Sequence, residues 1–365
     1  MKTANPAQSL RTDRVEMEVT ISFKYVPILQ TKQNEYAALN ELSFNIKQHV
    51  KPLFSLTNSD KERRSHSLPK QIKDRWGNSP CYVDLDTSRD FLIDNQYYAD
   101  WVFNELHNLN LTNVDAVISL SSSNTMINAI SNAIRNYGIG LAVRVAITEL
   151  GANTAQKINE LINKCELTTS DVDLIVDYAE NVQPNSFLHF QSIQLALSNL
   201  TSSTGFKNII VASSSMPKEL PRDDYNPHGF VPRIEWQAFQ LNKTTPNTIQ
   251  YIFSDYGSVH PEEFESDAPV KPNAKIKYTL DTDYMLVVRY QAHVDGFEQY
   301  YDMCEHIVNS GHYYGANFSS GDQYIYDCSH RQTGTGNFGT WVKVGVNHHI
   351  TVVMNQIATL SGFSI

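Results

Sequence analysis

The chain has 365 residues, 41% of them hydrophobic and 19% charged, and its 29 Lys and Arg against 39 Asp and Glu leave a formal charge of −10. That length allows two or three domains, or one large α/β barrel with insertions, and the mix is too apolar for a disordered chain. An acid excess with no basic run to offset it argues against extensive duplex nucleic-acid binding, because sequence-independent phosphate binding needs clustered cations.

No stretch approaches the roughly 18 apolar residues of a membrane span, and the first residues are polar rather than a secretory leader, so no membrane association and a cytoplasmic location are expected. Cys81, Cys165, Cys304 and Cys328 lie far apart with no C-x-x-C pair. That spacing reads as buried thiols, not as a zinc finger or a disulfide framework.

Residues 1–24 read as an N-terminal extension, 25–265 as a core and 266–365 as a C-terminal elaboration packed on or closing it. Within the core, short apolar β-rich runs alternate with stretches of helical periodicity, the pattern of parallel strands joined by crossover helices. Tyr25-Val-Pro-Ile-Leu29 predicts the first strand, and 34–47 a helix with Tyr36, Leu39, Leu42, Phe44 and Ile46 on one face. Lys51-Pro-Leu-Phe-Ser-Leu56 comes next, then a polar loop over 57–80 holding the charge run Lys61-Glu-Arg-Arg64. Six further strands are expected at Cys81–Asp86, Asp115–Leu120, Leu141–Ile147, Asp173–Asp177, Asn208–Ala212 and Ile249–Asp255. Helices are expected between them over 97–109, 125–135, 154–164, 186–200 and 235–240.

Eight strands with intervening helices make a (β/α)8 TIM-like barrel with a C-terminal elaboration the expected fold, and an open doubly wound sheet the alternative. Beyond Glu262, the runs 274–280 and 284–290 read as strands, the second also competing as the strand that closes the barrel. Helices are expected over 296–309 and 350–360, with an irregular Gly-, Tyr- and Ser-rich stretch before Phe338.

In a barrel the chemistry sits where strands end. Asp84 and Asp86, on one face of a pleat, together with Asp177 and Asp255, form a potential carboxylate ring that would hold Mg²⁺ or Mn²⁺ or supply an acid and a base. Tyr256 follows the eighth strand. Arg144 lies inside an apolar strand, where an unpaired cation is costly, and should meet one of these carboxylates. Lys32 and Glu35 fall three residues apart at a helix start and could face the mouth. Asn347-His-His349, with Trp341 upstream, would place the two rings on opposite sides of an extended segment, one of them free to act as a general base. The serines 121–123 and 213–215 and the glycines 334, 336 and 339 lack a motif around them, and neither a P-loop, a G-x-G-x-x-G nor a G-x-S-x-G is present.

Several blocks carry a resemblance: Tyr25-Val-Pro-Ile-Leu-Gln-Thr-Lys-Gln-Asn-Glu35, Lys51-Pro-Leu-Phe, Phe253-Ser-Asp-Tyr-Gly257, Ala274-Lys-Ile-Lys-Tyr-Thr279, Phe318-Ser-Ser-Gly-Asp322-Gln-Tyr-Ile325, Thr340-Trp341 and Asn347-His-His-Ile-Thr351. With these the chain resembles the "beta protein" family, named after a bacteriophage T4 protein and widespread in bacterial genomes and prophages. The resemblance implies a barrel protein from the neighbourhood of mobile elements and antiphage genes. It carries over Lys32, Glu35, Asp255, Tyr256, Asp322, Trp341, Asn347, His348 and His349. Small residues stand at Ser319–Ser320 where the family often has a second aromatic. The functional expectation is a phage-conflict protein, in antiphage defence or associated with a prophage. Its barrel mouth would bind a ligand or a partner protein from the same operon, as a sensor or accessory subunit. The alternative is a metal-dependent hydrolase of a phosphate ester, nucleotide or nucleic acid. Asp84 and Asp86 would then bind the metal, Lys32, Glu35, Asp255, His348 and His349 would do the chemistry, and Arg144, Asp177, Tyr256, Asp322, Trp341 and Asn347 would bind the ligand.

Overall fold

Parallel strands covered on both faces need apolar side chains at nearly every position, and the short runs supply them. The computed structural model describes residues 23–56, 67–85, 91–93, 95–201, 205–218, 228–262 and 272–365. Its strands are β1 (Tyr25–Gln30), β2 (Leu53–Ser55), β3 (Cys81–Asp84), β4 (Leu92–Ile93), β5 (Gln96–Tyr97), β6 (Val114–Ser119), β7 (Gly140–Ala146), β8 (Val172–Asp177), β9 (Asn208–Ala212), β10 (His228–Pro232), β11 (Ile252–Asp255), β12 (Asn273–Thr279) and β13 (Asp283–Gln291). β1, β2, β3, β6, β7, β8, β9 and β11 close in that order into a parallel barrel, with β11 returning to pair with β1 through Tyr25–Phe253 and Pro27–Asp255. Closure excludes the doubly wound alternative.

A helix follows each barrel strand: Gln33–Asn40, Leu68–Arg75, Tyr98–Asn108, Asn124–Tyr137, Thr154–Lys164, Ser186–Thr201, Ile234–Thr244 and, last, Phe338–Ser361. Local sequence sets their ends. The Ser123 hydroxyl accepts from the Met126 amide at the start of one helix, and Gly138 ends it with φ 67°. Such a left-handed terminus favours glycine. Pleat alternation then sorts the strand residues. Val26, Ile28, Leu53, Tyr82, Val117, Ala142, Ile175, Ile210 and Ala212 fill the lumen. Their neighbours, such as Leu29, Phe54, Val83, Ile118, Val143, Val176 and Phe253, pack outward under the helices.

Several expectations need correction. The polar loop over 57–80 contains the helix Leu68–Arg75, whose Pro69 suits a first turn; Lys61–Arg64 lies outside the described residues. The expected helix over 34–47 is two, the second capped by Ser43. The run 284–290 is not a barrel strand: β13 lies between β10 and β12 in an antiparallel sheet. The irregular stretch holds the helix Ser320–Ser329, and 338–361 is one continuous helix, so Asn347, His348 and His349 are helical rather than extended. This closing helix completes the helical ring. β12, β13 and the helices Gln299–Asn309 and Ser320–Ser329 are therefore an insertion between the eighth strand and its helix.

The insertion touches the closing helix closely at Gly321. A Cβ there would stand 2.5 Å from the Val344 carbonyl oxygen, and the Gly321 amide donates to Asn347 Oδ1 at 3.0 Å. Gly321→Ala is expected to destabilise the fold by about 1–3 kcal/mol, because the two helices must separate. Thermal unfolding checks it, and an unchanged midpoint would contradict this packing.

Candidate functional site

The barrel lumen carries charge at both ends. At its floor, Lys51 pairs with Asp115 and lies 3.6 Å from Asp173 Oδ2, with its ammonium 3.7 Å above the Tyr82 ring. The Tyr82 hydroxyl and Asn208 Nδ2 donate to Asp173 at 2.6 and 2.7 Å. This plug is missing from the sequence reading, which took Asp115 and Asp173 only as strand starts.

At the mouth, Arg144, Asp84 and Asp177 share the inward parity of Ala142, Tyr82 and Ile175, so the three converge. Arg144 Nη1 donates to Asp84 Oδ2 at 2.6 Å, while Nε and Nη2 donate to Asp177 Oδ2 at 2.9 and 2.6 Å. Tyr256 joins them, accepting from Nη2 at 2.8 Å and donating to Asp177 at 2.6 Å. The cation expected to find a carboxylate thus finds two. The two carboxylates and one guanidinium leave this set with a net charge of −1.

A metal-holding ring does not form from these residues. Asp86 lies outside the described residues, and Asp255 has the outward parity of Phe253, on the far side of the barrel wall. Among the described residues no three His, Cys, Asp or Glu side chains come together as ion ligands. The strand-end serines serve turns: Ser122 Oγ accepts from the Ser119 amide, Ser213 Oγ meets His189 Nε2 at 3.0 Å, and the Ser215 amide donates to Glu235. Gly339 sits in the first turn of the closing helix, not in a phosphate loop.

Asp255, His348 and His349 belong instead to a seam between barrel, closing helix and insertion. Asp255, fully buried, accepts from the Tyr25 hydroxyl, from the Gly257 amide at 3.0 Å and from His349 Nε2 at 2.8 Å. Burial pushes its carboxyl pKa up, but the His349 ring, the Tyr25 hydroxyl and the Gly257 amide outweigh that and hold it below the ordinary value. An ionised carboxylate only accepts, which assigns the His349 proton to Nε2; Nδ1 then accepts from the Thr279 hydroxyl at 2.9 Å. Burial, working against Asp255, holds the His349 pKa below its ordinary value. The adjacent His348 donates to the Thr279 carbonyl at 2.9 Å and faces Asp322 Oδ2 at 2.8 Å. Asp322 also accepts from Ser319 and, at 2.7 Å, from Tyr278. Burial raises the Asp322 pKa, yet His348, Ser319 and Tyr278 together keep it low.

Asn347 ties the helices together, donating to the Ala38 carbonyl at 3.1 Å. Trp341 stacks on Tyr300 at 4.5 Å. Lys32 caps the helix after β1 and is partly exposed, whereas Glu35 in its first turn is buried. The expected single rim is therefore two sites on opposite faces of the barrel wall. Arg144, Asp84, Asp177 and Tyr256 meet in the lumen, and Asp255, Asp322, Asn347, His348 and His349 meet in the seam. Both rings are fully buried, so neither reaches a substrate as a general base. Sequence reasoning also missed Glu235, which accepts from the Tyr284 hydroxyl at 2.9 Å in the same seam. Its only signal was an acid in an apolar helix face.

A model of the family described as Beta protein matches residues 25–355. No curated protein matches the chain. Among solved structures, a type I 3-dehydroquinate dehydratase from Clostridium difficile is 10% identical, with 65% of this chain and 86% of that one covered at a TM-score of 0.40. A 3-hexulose-6-phosphate synthase is 13% identical over 52% of this chain and 79% of that one, with a TM-score of 0.34. The 3-keto-D-glucoside 4-epimerase YcjR from E. coli is 12% identical over 66% and 94%, with a TM-score of 0.29.

Arg144→Met leaves two buried carboxylates facing each other and is expected to cost about 3–5 kcal/mol in denaturant unfolding. For His349, a depressed folded pKa means that the unfolded chain takes up its proton first as pH falls. Stability is then lost below about pH 6.5, the value of a free histidine. Melting curves between about pH 7 and 5 should fall less steeply for His349→Gln than for the parent protein. Equal slopes would contradict a neutral His349.

Proposed function

We propose a role in protein recognition for this chain, which belongs to the Beta protein family: a binding protein of phage–host conflict, acting as a sensor or accessory subunit rather than a hydrolase. The observation that carries this reading is an apolar surface beside the barrel mouth. The helix Ser186–Thr201 buries Phe190, Ile193, Ala196, Leu197 and Leu200 against the barrel, as a crossover helix must. Its opposite side carries three large apolar side chains, Phe187 55%, Leu188 44% and Leu195 65% exposed, among the exposed polar residues Gln191, Ser198 and Asn199. Large aromatic and aliphatic side chains grouped on the exposed side of one helix are the kind of surface that marks an interaction site.

The helix follows β8, so Phe187 and Leu188, in its first turn, lie towards the mouth end of the barrel. The net negative charge of the whole chain suits a partner with polar or basic contacts and disfavours nucleic acid. Arg144 is held by Asp84, Asp177 and Tyr256 rather than presented to a substrate, which supports binding over hydrolysis. No helix among the described residues is long and apolar enough to cross a membrane.

Co-expression with the proteins of its own operon, followed by size-exclusion chromatography and calorimetry, tests the reading. A complex is expected that Phe187→Glu together with Leu195→Glu weakens at least about tenfold, as hot-spot loss does, without lowering the melting temperature. A complex indifferent to both substitutions would overturn it. So would nucleotide turnover with Mg²⁺ or Mn²⁺ that Asp177→Asn abolishes.

A further inference from the structure

A second site lies apart from the mouth, between the insertion and the start of the closing helix. There a cavity of about 330 Å³, within the range of small-molecule sites, is lined by Lys275 and Lys277 of β12, Ser258 and Val259 after β11, Tyr300, Phe338, Trp341 and Val342. Residues 275 and 277 share one face of the strand, so both amines reach the same space. No carboxylate lines the cavity among the described residues. Its wall is aromatic, with Tyr300 and Trp341 stacked at an interplanar angle of 8°.

Lys277 is fixed rather than free. Its Nζ donates to the Ser258 carbonyl at 2.7 Å. Gly345 presses the closing helix against the same strand, since a Cβ there would stand 3.3 Å from the Lys277 carbonyl oxygen and 3.0 Å from Ser258 Oγ. Removal from water, reinforced by the neighbouring Lys275 charge, pulls the Lys277 pKa down to about 7. Lys275, at the solvent edge of the cavity, makes no ion pair among the described residues. A lysine desolvated beside a second cation is an activated amine.

We propose that Lys277 is an amine nucleophile that captures an anionic, planar aldehyde or ketone as a Schiff base, with Lys275 holding the ligand's carboxylate or phosphate and Tyr300 and Trp341 bounding its ring. The unprotonated amine attacks the carbonyl carbon, forming a C–N bond. The resulting carbinolamine loses its oxygen as water, giving the imine, with no oxidant or reductant consumed. The Ser258 carbonyl orients the nitrogen. The site needs no partner protein, so it stands or falls independently of the apolar surface beside the mouth.

The test incubates the full chain with pyridoxal 5′-phosphate, and separately with the uncharged analogue pyridoxal. Each adduct is reduced with borohydride and the modified lysines are located by peptide mass spectrometry. At pH 7 about half of an amine with Lys277's poise is unprotonated, against less than about one in a thousand for an ordinary lysine. Modification at Lys277 should therefore be at least about tenfold faster than at surface lysines, an advantage that shrinks towards pH 10. Lys277→Arg should abolish the fast adduct. Lys275→Gln should remove the preference for pyridoxal 5′-phosphate over pyridoxal, with both variants keeping the parent melting temperature. Labelling spread evenly over the lysines, or a fast adduct surviving Lys277→Arg, would overturn the proposal. A phosphate preference that survives Lys275→Gln would overturn the role given to Lys275.

Discussion

A carboxylate removed from water must be surrounded by donors, and Asp255 is the point where that demand fixes the relation of three layers. It ends the eighth strand, so it is rigidly placed, and pleat parity turns it outward. Its donors come from β1 through Tyr25, from the turn after β11 through Gly257, and from the closing helix through His349. Removing a donor leaves a buried charge without a partner, which is far costlier than losing a surface ion pair. The closing helix therefore cannot slide or rotate without breaking the His349 contact. Thr279, held by both histidines, extends the same constraint into the insertion.

This arrangement divides the polar residues by the barrel wall. Inward-facing charges make two plugs, Lys51 with Asp115 and Asp173 at the floor, and Arg144 with Asp84 and Asp177 at the mouth. Outward-facing ones make the seam. A shift of one residue along β11 would exchange the two sets, sending Asp255 into the lumen and Ser254 into the seam. Ser254 instead donates to the Val26 carbonyl at 2.6 Å on the inner side. Register and function are thus linked: each charged group is useful only on the side to which its position in the pleat assigns it.

The barrel was legible because strands buried on both faces read as continuous apolar runs, and all eight, from Tyr25 to Asp255, fall where those runs predict them. Arg144 was legible for the complementary reason, as a cation in an apolar strand that has to find carboxylates. The closing helix was not. Gly339, Gly345, Thr340 and Thr351, with Val342, Val344, Val346, Val352 and Val353, all have modest helix propensity, so the segment read as an extended stretch followed by a short helix over 350–360. Adjacent histidines that would diverge on a strand are about 100° apart on a helix, and both are covered because the helix is packed on two sides. Which face of β11 carries Asp255 was implicit in alternation, but only the pairing with Tyr25 and His349 shows that the seam uses it. Lys275 and Lys277 gave no signal, since an alternating Lys-x-Lys on a strand reads as a solvated face until the closing helix packs beside it.

Poor propensity in the closing helix is informative about how the chain is built. A helix of such residues gains little from its own hydrogen-bond ladder and depends on burial. From Val344 to Met354 every residue is buried, part of the surface against the barrel and part against the insertion. Gly321 allows a backbone approach that any side chain would block, and Gly345 leaves room for a close one, so the contacts are made by the backbone as well as by side chains. The insertion therefore cannot be detached as a domain without uncovering half of this helix, and the barrel cannot be completed without the helix. The chain leaves the eighth strand after Asp255, and one cooperative unit does not end there; the expected boundary at residue 266 lies outside the described residues. The same reasoning places the lysine pocket inside that unit: its walls come from β12, from Tyr300 and from the first turns of the closing helix, and they exist together only when the ring of helices is closed.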